Sequence, residues 1–228
     1  MMHKEVAIII PAYNEEQSIE NVLTQLKDVR PSDAIIVIDD GSKDDTYRKA
    51  ASVPGVLVAR HYINLGQGAA LQTGIEVARC LHARYVVTFD ADGQHDPNDI
   101  TFFLEVMKRE GLDIALGSRF LGSTNASTSR KLILKLAALF TWGVSGIRLT
   151  DAHNGFRVIH ISKFPEFEIT QNGMAHASEI IDIIKHLNMK YKELPCHIHY
   201  TDYSRAKGQS ALNSINILID YILGRIIK

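Results

Sequence analysis

Residues 85–97 read Tyr-Val-Val-Thr-Phe-Asp-Ala-Asp-Gly-Gln-His-Asp-Pro. Tyr85–Phe89 is a short apolar run of the kind that forms a buried strand, and it stops at Asp90. Asp96-Pro97 then carries the N-cap and first-turn signature of a helix over Pro97–Arg109. A strand that delivers an acidic turn and hands over to a helix is one unit of an α/β chain, and the unit recurs on both sides. Upstream, Val6–Ile10 reads as a strand, Pro11–Glu16 as its turn, and the next segment as a helix with Ile19, Val22, Leu23, Leu26 and Val29 on one face. Pro31 closes that helix. Ala34–Ile38 is a second strand, ended by Asp39-Asp40-Gly41-Ser42 and followed by a short helix, Asp44–Ala51. Val56–Arg60 is a third strand and leads through Asn64–Gly68 into the helix Ala69–Ala83. Downstream, Asp113–Gly117 is a fifth strand. This alternation predicts an α/β fold: a mainly parallel sheet flanked by helices on both faces. Ligands of such sheets gather at the carboxyl ends of the strands.

Beyond residue 118 the pattern loosens. Ser118–Ser129 is polar and small and reads as a loop. Arg130–Val144 reads as a helix, Asp151–Ile159 as turn then strand, Gly173–Leu187 as a helix and Tyr191–Tyr200 as a strand. Thr201–Gln209 is a basic loop before an amphipathic C-terminal helix, Leu212–Ile227. No repeat or long linker interrupts the 228 residues, so one domain over 1–228 is expected. A hydrophobic share of 46% against 22% charged residues excludes a disordered chain. A net charge of −1 gives no reason to expect nucleic acid as a partner. Cys80 and Cys196 form no CxxC pair, which argues against zinc knuckles and a disulfide scaffold and suits a reducing compartment. The N-terminus lacks signal-peptide anatomy, so a cytoplasmic location is expected. Leu132–Leu149 and Leu212–Ile227 are too interrupted by polar residues to span a bilayer. Both suit either core helices or segments lying on a membrane surface.

Three turns at strand ends hold the unusual chemistry: Pro11–Glu15, Asp39–Ser42 and Asp90–Gln94. In extended backbone, residues two apart point the same way, so Asp90, Asp92 and Gln94 can aim oxygens at one point. Hard oxygen donors suit Mg²⁺ or Mn²⁺. The same residues also read as an acidic turn that caps the next helix. Asp39 and Asp40 can accept hydrogen bonds from a base or ribose, or can simply form an Asp-Asp-Gly turn. Gly66-Gln67-Gly68 invites a dinucleotide-binding reading, but Leu71 stands where that pattern needs its third glycine. Arg119, Arg130, Arg157, Arg205 and Lys207 are basic groups suited to a diphosphate, and each also reads as an ordinary surface charge. Among the histidines only His95 adjoins an acidic turn. A nucleotidyltransferase would place a glycine-rich basic loop after the first strand, and Pro11–Glu15 is neither glycine-rich nor basic.

Taken together, Pro11-Ala12-Tyr13-Asn14-Glu15, Asp39-Asp40-Gly41-Ser42, Asn64-Leu65-Gly66-Gln67-Gly68, Asp90-Ala91-Asp92-Gly93-Gln94 and Asn154-Gly155-Phe156-Arg157 resemble, in order and spacing, the family 2 glycosyltransferases. The set is most similar to the dolichyl-phosphate mannosyltransferase branch and its bacterial polyprenyl-phosphate relatives. The resemblance implies a GT-A fold, a GDP- or UDP-linked sugar donor, and Mg²⁺ or Mn²⁺. It also implies a donor-binding half over 1–120 and an acceptor-side half over 121–228. By the same resemblance Pro11, Tyr13 and Glu15 form the nucleotide-binding turn, and Asp39, with Asp40 beside it, contacts the base. Asp90, Ala91, Asp92 and Gln94 form the ribose, metal and diphosphate segment, with Asp92 and Arg119 at the chemistry. Arg130 begins the acceptor-side helix, Arg157 and Lys207 belong to that side, and Arg205 binds phosphate. Two positions depart from the pattern: Ala211 replaces a lysine, and Asn154 replaces a serine. The expected reaction is metal-dependent, inverting glycosyl transfer to a lipid-linked phosphate at the cytoplasmic membrane face. A sugar-hydroxyl acceptor, as in cell-surface polysaccharide synthesis, would need a base, for which Asp151 and Glu179 are candidates. A non-catalytic donor-binding partner of a membrane protein is the other reading.

Overall fold

The computed structural model describes residues 4–124, 128–152 and 154–199. Among the described residues, seven strands form one sheet in the order β3-β2-β1-β4-β6-β5-β7. They are β1 (Val6–Ala12), β2 (Ala34–Asp39), β3 (Val56–Arg60), β4 (Tyr85–Thr88), β5 (Ile114–Thr124), β6 (Arg157–Ile159) and β7 (Tyr191–Ile198). All neighbouring pairs are parallel except those of β6, which runs antiparallel to both β4 and β5. The mainly parallel sheet read from the alternation is therefore present.

The sheet is covered on both faces, which is why its central strands are continuously apolar. Helices α1 (Ile19–Val29), α2 (Thr46–Ser52) and α4 (Asn98–Glu110) pack on one face. Helices α3 (Gln67–Cys80), α5 (Thr128–Ser145) and α6 (His176–His186) cover the other. Alternation within β1 serves both cores: Ile8 and Ile10 enter the first, Ala7 and Ile9 the second. Each such isoleucine is fully buried, a contribution of about 1.5–3 kcal/mol per side chain. Helix α1 buries Ile19, Val22, Leu23 and Leu26, the stripe expected from its spacing. Helix α2 starts later than expected, because Asp44 accepts from the Thr46 N–H and hydroxyl (3.0 and 2.5 Å) and so precedes the first turn.

The main departure lies after residue 118. The expected loop is the second half of β5, which continues to Thr124 and pairs with β7 at Ser123↔His197 and Thr124↔Ile198 after a register shift. Small polar residues here lie on a paired strand whose partner is some 75 residues further along the chain. Strand β6 has only three residues, and β7 stops at Ile198. The expected C-terminal helix, Leu212–Ile227, lies outside the described residues.

This topology positions a site. The carboxyl ends of β1, β2, β4 and the middle of β5 point to one edge. Because β6 runs the other way, its start, Asn154–Arg157, arrives at that same edge.

Candidate active site

Residues 11–16 are laced to residues 39–46 by bonds in both directions. Asn14 N–H donates to Ser42 Oγ (2.9 Å), Glu15 N–H to Thr46 Oγ1 (2.7 Å) and Lys43 N–H to Asn14 Oδ1 (2.9 Å). Pro11, next to last in β1, pairs with Ile38. Tyr13 leaves the turn partly exposed and walls an open cleft of about 690 Å³, with Lys43, Arg60, His61, Tyr62 and Asn64 around it. Asp39 is fully buried. Its Oδ1 accepts from Ser42 N–H (3.1 Å), and Arg60 Nε stands 2.9 Å from Oδ2 as an ion pair without hydrogen-bond alignment. The sheet register sets Arg60 directly opposite Asp39.

Asp40, expected beside Asp39 as a nucleotide contact, has a different task. Its Oδ1 is bonded to His61 Nδ1 (2.7 Å) and accepts from Leu65 N–H (2.9 Å), and its Oδ2 accepts from Gly66 N–H (2.7 Å). Both oxygens therefore hold the loop that starts α3, and the side chain is buried among those donors.

The acidic turn follows β4. Residues 91–93 bend instead of staying extended, with Gly93 at φ 75°. Asp90, Asp92 and Gln94 consequently do not point one way. Asp92 Oδ1 accepts from Gln94 N–H (3.0 Å), and the Gln94 side-chain amide donates to Asp92 Oδ2. Asp90 Oδ2 is bonded to His95 Nε2 (2.9 Å), and Gln67 Nε2, at the start of α3, donates to Oδ1 (3.2 Å). His95 is buried between Phe89 and Phe156, with ring centroids 5.4 and 5.5 Å away. Ala91 faces the core. Burial and the charge of Asp90 push the Asp92 carboxyl up to about 6, and Glu15 from the first turn adds to the push. For Asp90, burial raises the carboxyl, but the His95 bond and the charges of His95, Arg157 and His176 outweigh it and hold the group below the ordinary range.

Arg119 lies in β5, its backbone N–H and Nε both donating to Asp151 Oδ2 (3.1 and 2.6 Å). Asp151 is itself held by its own N–H, which donates to Glu193 (3.0 Å). Glu179 accepts from Thr170 N–H, Thr170 Oγ1 and Gln171 N–H (3.0, 2.5 and 2.8 Å), so it fixes the loop before α6. Arg157, expected on an exposed acceptor side, is instead an interior strand residue, 3% exposed and paired in register with Thr88 and Leu116. Burial pushes its guanidinium down to about 10 against the opposing charges of Asp90 and Asp151. Arg130 lies in α5, and Arg205 and Lys207 lie outside the described residues.

Among the described residues, three buried side-chain atoms lack a hydrogen-bond partner: Asp39 Oδ2, Asp151 Oδ1 and Arg157 Nη1. All three belong to this edge of the sheet. Leaving a buried polar atom unmatched costs about 1–3 kcal/mol, so their concentration here marks a functional region. No group of three or more His, Cys, Asp or Glu side chains is arranged to hold a metal ion among the described residues. The donor chemistry of Asp90 and Asp92 still fits Mg²⁺ or Mn²⁺. Two hard carboxylates on one turn repel each other, and these ions bind through one or two carboxylates with substrate phosphates filling the shell.

Sequence reasoning missed Gln67, Arg60 and Gly155. Arg60 was readable once the β2–β3 register placed it opposite Asp39. Gln67 and Gly155 meet Asp90 only through the tertiary fold. Helix α5 exposes Leu136, Leu139 and Trp142, with Arg148 stacked on Trp142 at 5.5 Å. No helix among the described residues is long and apolar enough to cross a membrane.

Comparison with known proteins bears on the fold and the family. The UDP-N-acetylglucosamine–dolichyl-phosphate N-acetylglucosaminyltransferase of Methanococcus voltae is 31% identical over 238 residues, covering 95% of this chain and 94% of that one. The undecaprenyl-phosphate mannosyltransferase of Micrococcus luteus is 33% identical over 159 residues, covering 67% of this chain and 65% of that one. Among solved structures, glucosyl-3-phosphoglycerate synthase from Mycobacterium tuberculosis, in complex with Mn²⁺ and UDP-glucose, superimposes with a TM-score of 0.73. It is 17% identical, and the match covers 97% of this chain and 79% of that one, so the GT-A fold is shared. The model of glycosyl transferase family 2 matches residues 7–167, well over half of the sequence, and the chain belongs to that family of glycosyltransferases.

Proposed function

We propose that the chain transfers a sugar, with inversion, from a GDP- or UDP-linked donor to a polyprenyl or dolichyl phosphate, using Mg²⁺ or Mn²⁺. The observation that carries this reading is the convergence of residues 11–16, 39–42 and 90–94 on one edge of the sheet beside the Tyr13 cleft. Support for the acceptor comes from the relatives, which are named for dolichyl and undecaprenyl phosphates.

Each residue has a physical task in this reading. Asp39, whose buried Oδ2 is ion-paired with Arg60 but makes no hydrogen bond, would accept from the base, and Tyr13 gives the base a face to lie against. Asp90, held ionised, accepts from the ribose. Asp92, with Asp90 near it, would hold the divalent cation, which when bound neutralises the diphosphate as it leaves. Arg119, oriented by Asp151, faces the growing negative charge, with Arg205 and Lys207 as further basic groups. A lipid phosphate is already anionic and needs no base. That fits the commitments of the two candidate bases, since Asp151 holds Arg119 and Glu179 holds residues 170–171. The exposed apolar side chains of α5, with Arg130 at the start of that helix, would face the bilayer at its cytoplasmic side.

A thermal-shift panel tests the reading, with GDP-mannose, UDP-glucose and UDP-N-acetylglucosamine, each with Mn²⁺ and with chelator. A donor bound only by the folded state stabilises by about 2.7 kcal/mol at a hundredfold excess over its Kd. Metal-dependent stabilisation by one donor is expected. No response to any donor would contradict the proposal.

A further inference from the structure

We propose that Gly155 and Arg157 form a seat that holds Asp90 in its donor-binding position, which makes Arg157 a positioning residue of the transferase and not a contact for the acceptor. This rests on the reading of the edge as a nucleotide-sugar site.

The argument starts from the register. Strand β6 pairs antiparallel with β4 at Thr88↔Arg157 and Val87↔Val158. Continued by two residues, that register sets Gly155 against Asp90. Thr88 Oγ1 donates to the Gly155 carbonyl (2.5 Å), which locks the two strand ends together there. A Cβ at Gly155 would stand 2.5 Å from Asp90 Oδ2 and 2.8 Å from Oδ1. Asp90 therefore lies directly on the glycine, and a side chain at 155 would have to push the carboxylate out of this position. Arg157, two residues on, points to the same face as Thr88 and Asp90. That face is the one covered by α3 and α6. The guanidinium is buried there, keeps Nη1 unmatched, and has two carboxylates acting on it, Asp90 and Asp151. A buried cation with no full set of hydrogen bonds is a poor structural element by itself. It makes sense as a positive group fixed on the same face as Asp90, behind the glycine on which Asp90 rests, while Gln67 and His95 aim the two carboxylate oxygens.

The test uses the full chain, with calorimetric titration of whichever of UDP and GDP the wild type binds in Mn²⁺, alongside thermal melts. Arg157→Met is expected to weaken nucleotide binding by about tenfold or more and to raise the donor KM more than it lowers kcat. Arg157→Lys, which keeps the charge, should recover most of the affinity. Gly155→Ala should reproduce the loss through displacement of Asp90, and it remains informative if Arg157→Met does not fold. A purely packing role predicts lower melting temperatures with unchanged nucleotide Kd. Wild-type affinity in folded Arg157→Met and Gly155→Ala would overturn the proposal. A wild type that binds neither nucleotide would instead overturn the reading of the site on which it rests.

Discussion

Replacing Asp40 by alanine removes the anchor of the loop that opens α3. The carboxylate is 3% exposed and serves His61 Nδ1, Leu65 N–H and Gly66 N–H at 2.7, 2.9 and 2.7 Å. A hydrogen bond to a charged group contributes about 1.5–3 kcal/mol. Three such bonds set a ceiling well above the net effect, because Leu65 is 44% exposed and the freed amides there regain water. A loss of about 3 kcal/mol is the expected balance. In a chain of this size each kcal/mol moves Tm by about 2–4 °C, so the melt should fall by about 6–12 °C. Asp40→Asn keeps the shape and one acceptor and should lose roughly half as much. The assay is a thermal melt followed by far-UV circular dichroism, with refolding checked. The variant should also bind nucleotide more weakly, since Gln67, next to the released Gly66, donates to Asp90. A Tm within about 2 °C of wild type would refute the view that Asp40 is a loop clamp.

Asp92 predicts a pH signature. Its carboxyl is raised to about 6 by burial and by Asp90, so protonated Asp92 favours folding below the ordinary carboxylate range, and that contribution is lost as pH rises through about 6. Asp92→Asn should therefore raise the Tm of the metal-free protein near pH 7.5 and not near pH 4, while Mn²⁺ no longer stabilises the variant; equal shifts at both pH values would exclude this account. In the wild type, Mn²⁺ affinity read by calorimetry should fall as pH drops below about 6, and a flat profile would count against Asp92 as ligand. Gly68→Ala would place a Cβ 1.9 Å from the Gln171 carbonyl, so α3 could not dock on residues 171–172, and denaturant melts should show a loss of about 3 kcal/mol. Glu179→Gln should lower stability by about 1–2 kcal/mol yet leave kcat within about tenfold, whereas loss of a general base would cost about a hundredfold or more.

The strands β1 to β4 were legible because Val, Ile and Ala runs of four to seven residues are bounded by Pro, Asp and Gly. The three acidic and aromatic turns could be placed on one edge from the alternation alone. What escaped were facts made by tertiary pairing. Ser118–Thr124 looks like a loop because its residues are small and polar, and only its pairing with β7 makes it a strand. Arg157 reads from the sequence as a basic group for a diphosphate or a surface charge, yet the antiparallel insertion of β6 between β4 and β5 buries it. Asp40 looks equivalent to Asp39, but its partners are backbone amides some 25 residues later. The bend at 91–93 likewise defeats the period-two argument for Asp90, Asp92 and Gln94, since Gly93 takes a left-handed conformation.

The central claim is sugar transfer onto a lipid phosphate. The direct measurement incubates the full chain with a radiolabelled donor from the thermal-shift panel, a polyprenyl phosphate in mixed micelles, and Mn²⁺ or chelator. Radiolabel partitioning into the organic phase, dependent on both lipid phosphate and Mn²⁺ and absent in Asp92→Ala, is the predicted result. Failure of every donor to label the lipid, with polyprenyl phosphate and metal supplied, would contradict it.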